Sequence, residues 1–249
     1  MHVAGESWTG YRQCRNDSGP LSSCLEDLQK ACHLAKHRVT KVVRLTVDTL
    51  EYVLETNPKV KVIHLFRDPR AIINSRVMTD WYYLKETPQT GYSDIRANAQ
   101  FMCDRMLYDF REGLKLKRKF PDRFAFVFFE DIMENLKPKA KMLYSYCGIN
   151  PELLETALEN IHIPLEGVAL VNNKSKREFS SWWRSRMDIN VIRVVDSVCS
   201  KVYEPLGYIK LIDPGELRNS SIQSYNIKEE FRIDTIHRNV PYSFSQSAL

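Results

Sequence analysis

The residues best placed to do chemistry in this chain are Arg67, Arg70 and Ser75. Lys59 to Ser75 reads KVKVIHLFRDPRAIINS, an apolar, β-branched run that stops at Arg67-Asp68-Pro69-Arg70. Val60, Val62, Ile63, Leu65 and Phe66 put apolar side chains on both faces, the pattern of a strand buried in a helix-covered parallel sheet. Asp68 caps the helix that follows, Pro69 fits its first position because no N–H is needed there, and Ala71, Ile72 and Ile73 continue it. Arg67 therefore stands at the carboxyl end of a strand, and Ser75 about two turns into the next helix, where open α/β sheets bind ligands. The chemistry that fits is phosphate binding. A guanidinium offers a planar fork to phosphate oxygens, a helix start adds backbone donors, and a serine hydroxyl closes the far side.

Other charged groups have two readings each. Lys41 and Arg44 belong to a second β-branched run, Val39 to Leu45 (VTKVVRL). In a doubly wound sheet that strand end lies beside Arg67 and three cations share one crevice; as edge or loop charges they are simply hydrated, and spacing does not decide. Lys174, Lys176 and Arg177 sit in an aperiodic basic stretch, Ile161 to Ser181, which either folds over an anion or is solvated. Trp81, Tyr82 and Tyr83, in a turn-rich segment after Met78, either stack on sugar rings or pack on the next helix. Glu130 and Asp131 are adjacent, which suits a shared acid–base task badly and a helix start well, so they are read as structural. His33 and His37 stand four apart with no acidic partner at hand and are read as solvated; no metal site is expected.

The elements that must position these groups follow from periodicity. Residues 1 to about 23 read as turn-rich loop, and Ser23 to His37 as a short helix. Val39–Leu45, the helix from Thr46 to Glu55 and the strand before Arg67 make a β-α-β unit with parallel strands and a right-handed crossover. Tyr92 to Lys119 is a long amphipathic helix ended by Pro121, and Phe124 to Phe129 (FAFVFF) a further buried strand. Helices Lys137 to Cys147, Pro151 to Asn160 and Asp188 to Tyr203 follow, the last closing at Pro205-Leu206-Gly207-Tyr208. Beyond Asp213 the chain turns polar and aperiodic and reads as an extension. The organisation is a cysteine-containing loop and short helix over 1–38, one α/β domain over 39–212, and a polar carboxyl-terminal extension over 213–249.

Composition agrees with one sizeable α/β domain. The chain has 249 residues, with 36 Lys+Arg against 31 Asp+Glu and a formal net charge of +5. The basic residues are scattered, which speaks weakly for an anionic ligand; no nucleic-acid partner is expected, since no such module or aromatic-basic repeat appears. There is no apolar run of membrane-spanning length and no signal peptide pattern at the start. The six cysteines contain no CxxC pair; their even number permits disulfides, and Cys14, Cys24 and Cys32 crowd together as a stapled segment would. Sequons at Asn16, Asn173 and Asn219 agree with a secretory-pathway glycoprotein, against which stands a cytosolic protein with buried thiols.

KVKVIHLFRDPRAIINSR, with VTKVVRL upstream, FVFFEDI downstream, and WWR followed by a helix ending in LGY, resembles the carbohydrate sulfotransferases of the Golgi. The resemblance runs from about Val39 to Ile212 and is greatest to the keratan-sulfate type enzymes that sulfate the 6-hydroxyl of galactose or N-acetylglucosamine. It implies a P-loop-NTPase-like sulfotransferase fold, a parallel sheet flanked by helices, here amino-terminally incomplete. It implies the donor PAPS (3'-phosphoadenosine 5'-phosphosulfate), leaving PAP, with no metal, and a glycan acceptor. Arg67 and Ser75 inherit binding of the donor's 3'-phosphate, with Arg70, Lys174 and Lys176 as further candidates. Lys41 resembles the lysine near the bridging oxygen of the transferred group and takes electrostatic stabilisation. No catalytic base is identified: Val43 stands where cytosolic relatives carry a histidine. The family's opening strand, 5'-phosphosulfate loop and membrane anchor have no match before Val39, so a partial chain with weakened transfer is expected, located in the Golgi lumen. Two competing readings are a non-catalytic glycan- or partner-binding module and, remotely, a nucleotide kinase, disfavoured because no GxxxxGK[ST] occurs.

Overall fold

The computed structural model describes residues 3–43, 45–78, 93–155 and 180–232. The chain divides into two compact units, Met1–Leu45 and Thr46–Leu249. In the first, helices α1 (Val3–Asn16) and α2 (Leu21–Leu34) pack on each other. They are bridged by a disulfide between Cys14 and Cys24. The loop expected over residues 1 to 23 is thus mostly helix: propensity is a weak prior, and the cross-link and packing override it. Gly19 is required at the turn, because a Cβ there would lie 2.7 Å from the Cys14 Sγ.

The strand expected at Val39–Leu45 is absent among the described residues, which exclude Arg44. Residues 39–43 carry no regular secondary structure and no ladder pairing, and Val39 is 86% and Val43 72% exposed. A β-branched run becomes a strand only where a partner strand and a covering layer take it up. The expected β-α-β unit ahead of Lys59 is therefore not formed among the described residues.

The second unit opens with a 3₁₀ turn (Val47–Thr49) whose Val47 N–H donates to the Asp109 carboxylate at 3.0 Å, followed by α3 (Leu50–Thr56). Then come β1 (Val62–Phe66), α4 (Pro69–Met78), α5 (Ser93–Lys119), β2 (Phe124–Phe128), α6 (Phe129–Glu134) and α7 (Leu136–Cys147). Helices α8 (Trp183–Arg186), α9 (Ile189–Leu206) and α10 (Pro214–Arg218) complete it. β1 and β2 pair in parallel, from Val62 opposite Phe124 to Phe66 opposite Phe128. β2 is buried throughout, as its unbroken apolar sequence predicts. β1 is buried on one face only: Ile63 and Leu65 are 40% and 55% exposed.

The inner face of this sheet meets α5 through a cluster of phenylalanines, Phe66, Phe110, Phe126 and Phe231 among them, with ring centroids 5.4 to 5.9 Å apart. α5 packs along α9 around the fully buried Ala99, Cys103, Val195, Cys199 and Val202, with Cys103 and Cys199 joined as a disulfide. Cys32 is an exposed thiol and Cys147 a half-buried one.

The polar stretch beyond Asp213, read from composition as an extension, folds back on the unit as far as Arg232. Leu217, Tyr225, Ile227 and Phe231 are core residues. Beside these apolar contacts, one arginine gathers its first half. The Arg184 guanidinium donates to the carbonyls of Leu217 (2.8 Å), Ile222 (2.6 Å), Glu216 (2.8 Å) and Asn219 (2.7 Å). Gly207 adopts the left-handed conformation (φ 74°) that ends α9, and a Cβ there would lie 2.4 Å from the Asn226 carbonyl oxygen.

Candidate functional site

The site is built where β1 ends. Because β1 pairs with β2 at a fixed offset, the two residues after each strand also come opposite one another: Arg67 over Phe129, and Asp68 beside Glu130. The Arg67 guanidinium lies 4.5 Å from the centre of the Phe129 ring. It is half-buried. Burial lowers its pKa, and the charges of Glu130 and Asp68 work against that. Ser75 is exposed on the second turn of α4.

Asp68 caps α4 as expected, its Oδ1 accepting the Arg70 N–H at 2.9 Å. The Asp68 N–H itself donates to the Glu130 Oε1 at 2.9 Å. Pro69 has no N–H. Asp68, Pro69 and Arg70 thus offer no free backbone donor to a ligand, which narrows the expected helix-start contribution.

Arg70 is completely buried; its Nε and Nη2 are hydrogen-bonded, while Nη1 has no hydrogen-bond partner among the described residues and meets Asp196 only as an ion pair. Nε and Nη2 donate to the Asp68 carboxylate at 3.0 and 2.8 Å, Nη1 lies 3.8 Å from Asp196, and the plane sits over Trp183 (4.4 Å) and Tyr203 (5.0 Å). Burial alone would lower its pKa, but Asp68, Tyr203 and Asp196 together outweigh it and the net shift is upward. Tyr203 donates its hydroxyl to Asp196, whose pKa burial raises.

Glu130, 1% exposed, closes the network. Its second oxygen lies 3.3 Å from the Tyr208 hydroxyl. Burial first, and then the Asp68 charge, push its pKa up to about 7. Spacing along the chain gave no hint of Glu130, Asp196, Tyr203 and Tyr208 as site-supporting residues. The signal that was available is pairing: once RDPR and FED are recognised as the ends of neighbouring parallel strands, Asp68 and Glu130 must meet.

The structure thus brings Arg67, Arg70 and Ser75 into one strand–helix unit. Lys41 is exposed and belongs to the first compact unit. Lys174, Lys176, Arg177 and the aromatic segment at Trp81 to Tyr83 lie outside the described residues. Among the described residues no group of His, Cys, Asp and Glu could hold a metal ion, and no helix is long and apolar enough to cross a membrane.

A strand, an arginine and a helix meet at this turn in an α/β frame, and comparison with known proteins identifies the family. The family described as "Sulfotransferase domain" matches residues 21–207, and the chain belongs to that family. The helix-rich body around a small parallel sheet is consistent with its α/β sulfotransferase fold. Among curated proteins, the chain is 28% identical over 209 residues to carbohydrate sulfotransferase 1 of Danio rerio, covering 78% of this chain and 49% of the relative. It is 27% identical over 223 residues to carbohydrate sulfotransferase 3 of Mus musculus (84% and 47%), and 26% identical over 208 residues to carbohydrate sulfotransferase 1 of Homo sapiens (78% and 50%). The chain spans about half the length of the curated relatives it matches. No solved structure matches it.

Proposed function

We propose that this chain binds PAPS and takes part in transfer of its sulfuryl group to a sugar hydroxyl, the 6-hydroxyl of galactose or N-acetylglucosamine in a glycan of the keratan-sulfate kind, in the Golgi lumen. The observation that supports this best is the turn after β1, where Arg67 and Ser75 lie within the stretch matched by the sulfotransferase family. In the reaction the acceptor oxygen forms a bond to sulfur, the bond from sulfur to the donor's phosphate oxygen breaks, the hydroxyl proton leaves to a base, and PAP is released. As in phosphoryl transfer, positioning and charge stabilisation supply most of the catalysis.

In this reading Arg67 faces the donor's 3'-phosphate with its fork, and Ser75 adds a hydroxyl donor from the exposed side of α4. Arg70, with its charge fully engaged by Asp68 and Asp196, keeps the turn in shape. Lys41 stabilises the leaving oxygen, and Lys174 and Lys176 add positive charge at the donor. No residue is assigned as the base.

Titration with PAP tests the assignment. Arg67→Ala removes a charge-assisted pair worth about 1.5–3 kcal/mol and should weaken PAP roughly 10- to 100-fold. Absence of saturable PAP binding, or binding unchanged in the variant, refutes it. Transfer of labelled sulfate to a galactose or N-acetylglucosamine acceptor tests turnover; PAP binding without transfer would favour the non-catalytic module.

A further inference from the structure

We propose that Glu130 is a positioning residue for the anion site: through its hydrogen bond to the Asp68 amide it fixes the direction in which Arg67 leaves the sheet, and so sets the affinity for the donor's 3'-phosphate. The inference rests on the donor-binding reading above. Nothing in the sequence pattern assigns this carboxylate a task beyond a helix start, yet its side chain, besides accepting from its own amide, also leaves that helix. It reaches across to the neighbouring strand's exit, with the same separation of 62 residues that sets the β1–β2 register.

The geometry limits Arg67 from two sides. Phe129 lies under its guanidinium, and one residue further Glu130 holds the next backbone amide at 2.9 Å. The carboxylate is in turn steadied by the Tyr208 hydroxyl at 3.3 Å, from the turn that closes α9. A guanidinium recognises phosphate by a fork whose two N–H bonds must be aimed together, so a small rotation of the peptide between Arg67 and Asp68 costs affinity disproportionately. An apolar residue of equal volume at position 130 would pack as well and escape the desolvation that raises this carboxyl's pKa; what it would lose is the acceptor.

The test separates the acceptor from charge and volume. Glu130→Met keeps the volume and removes the acceptor; Glu130→Gln keeps an acceptor and removes the charge. PAP affinity is measured by calorimetry on both variants, with circular dichroism to show the native fold. The expected result is at least a tenfold loss in Glu130→Met and a change of threefold or less in Glu130→Gln. Affinity within threefold of wild type in a folded Glu130→Met, or an equal loss in both variants, overturns the proposal. If Glu130→Met does not fold, Tyr208→Phe carries the test: it removes only the contact on the second carboxylate oxygen, and the expected loss is three- to tenfold, with no loss overturning the proposal. Failure of the wild-type chain to bind PAP at all is a different result, which overturns the donor reading and this inference with it.

Discussion

Removing the disulfide between Cys103 and Cys199 should be the most damaging change that leaves every proposed ligand contact in place. The bridge ties α5 to α9 across 96 residues of sequence. Closing a loop of that length in the unfolded chain costs 2.1 + 1.5R ln n cal/mol/K, about 16 cal/mol/K, or about 4.7 kcal/mol at 25 °C. Both sulfurs are fully buried, so Cys103→Ala/Cys199→Ala also leaves two small voids, roughly 1 kcal/mol each. Relaxation of the helices and residual structure in the unfolded chain reduce the sum, and the expected loss is about 4–6 kcal/mol, much of the stability of an ordinary domain. Urea unfolding, followed by tryptophan fluorescence and far-ultraviolet circular dichroism, measures it, with the m-value rising because the open chain exposes more surface. A loss below about 1 kcal/mol, or an unchanged m-value, would refute the reasoning. The bridge also bears on the site: Asp196, Cys199 and Tyr203 form one stripe of α9, at i, i+3 and i+7, so the cross-link stands between the two α9 residues that hold Arg70.

Two further outcomes follow from buried polar groups. His64, packed among Phe66, Phe124 and Phe126, has its pKa lowered to about 4 by burial and then by Arg105. The folded state resists protonation that the unfolded state accepts below about 6.5, so the stability His64 permits is full above pH 6.5 and lost as pH falls to about 4, by roughly 3 kcal/mol. Glu130, with its pKa raised, acts in the opposite sense over the same range, so the informative quantity is the difference between His64→Leu and wild type, which should shift by that amount in the variant's favour between pH 7 and pH 4; a pH-independent difference would contradict the burial of a neutral imidazole. Arg184→Lys keeps the charge but replaces a fork serving four carbonyls with a single ammonium. It should cost about 2–4 kcal/mol, and hydrogen exchange should show residues 214–222 losing protection first; unchanged protection there would show that apolar contacts alone hold the segment.

The sequence carried the local elements well where one rule sufficed. β2, α4, α5, α7 and α9 lie close to where apolar periodicity, Asp68, Pro69, Gly148 and Gly207 place them. It failed where a pattern depends on what covers it. Val39–Leu45 has the composition of a strand, but its valines are exposed and unpaired in the ladder sense. Residues 214–232 have the composition of a tail, but Arg184 binds the carbonyls of 216–222 and core packing holds Tyr225, Ile227 and Phe231, order that their own periodicity does not announce. For the site, Arg67 and Ser75 could be read from their place after an apolar run. Arg70 has the same chemistry three residues further on in RDPR, yet it faces inward, and only the positions of Asp196, Trp183 and Tyr203 decide that.

Four of the five short elements that carry the resemblance to carbohydrate sulfotransferases are therefore not independent signals. RDPR supplies Asp68 and Arg70, FED supplies Glu130, WWR supplies Trp183, and LGY supplies Tyr208. Asp68 accepts from Arg70 and donates its amide to Glu130; Glu130 meets Tyr208; Arg70 stacks on Trp183. Each would be a weak motif by itself. Together they are one buried polar network: losing Asp68 would leave the Arg70 charge buried and unpaired at a cost of about 3–5 kcal/mol, whereas losing Glu130 removes the acceptor of the Asp68 amide. The product of the network is a turn of fixed shape from which Arg67 projects.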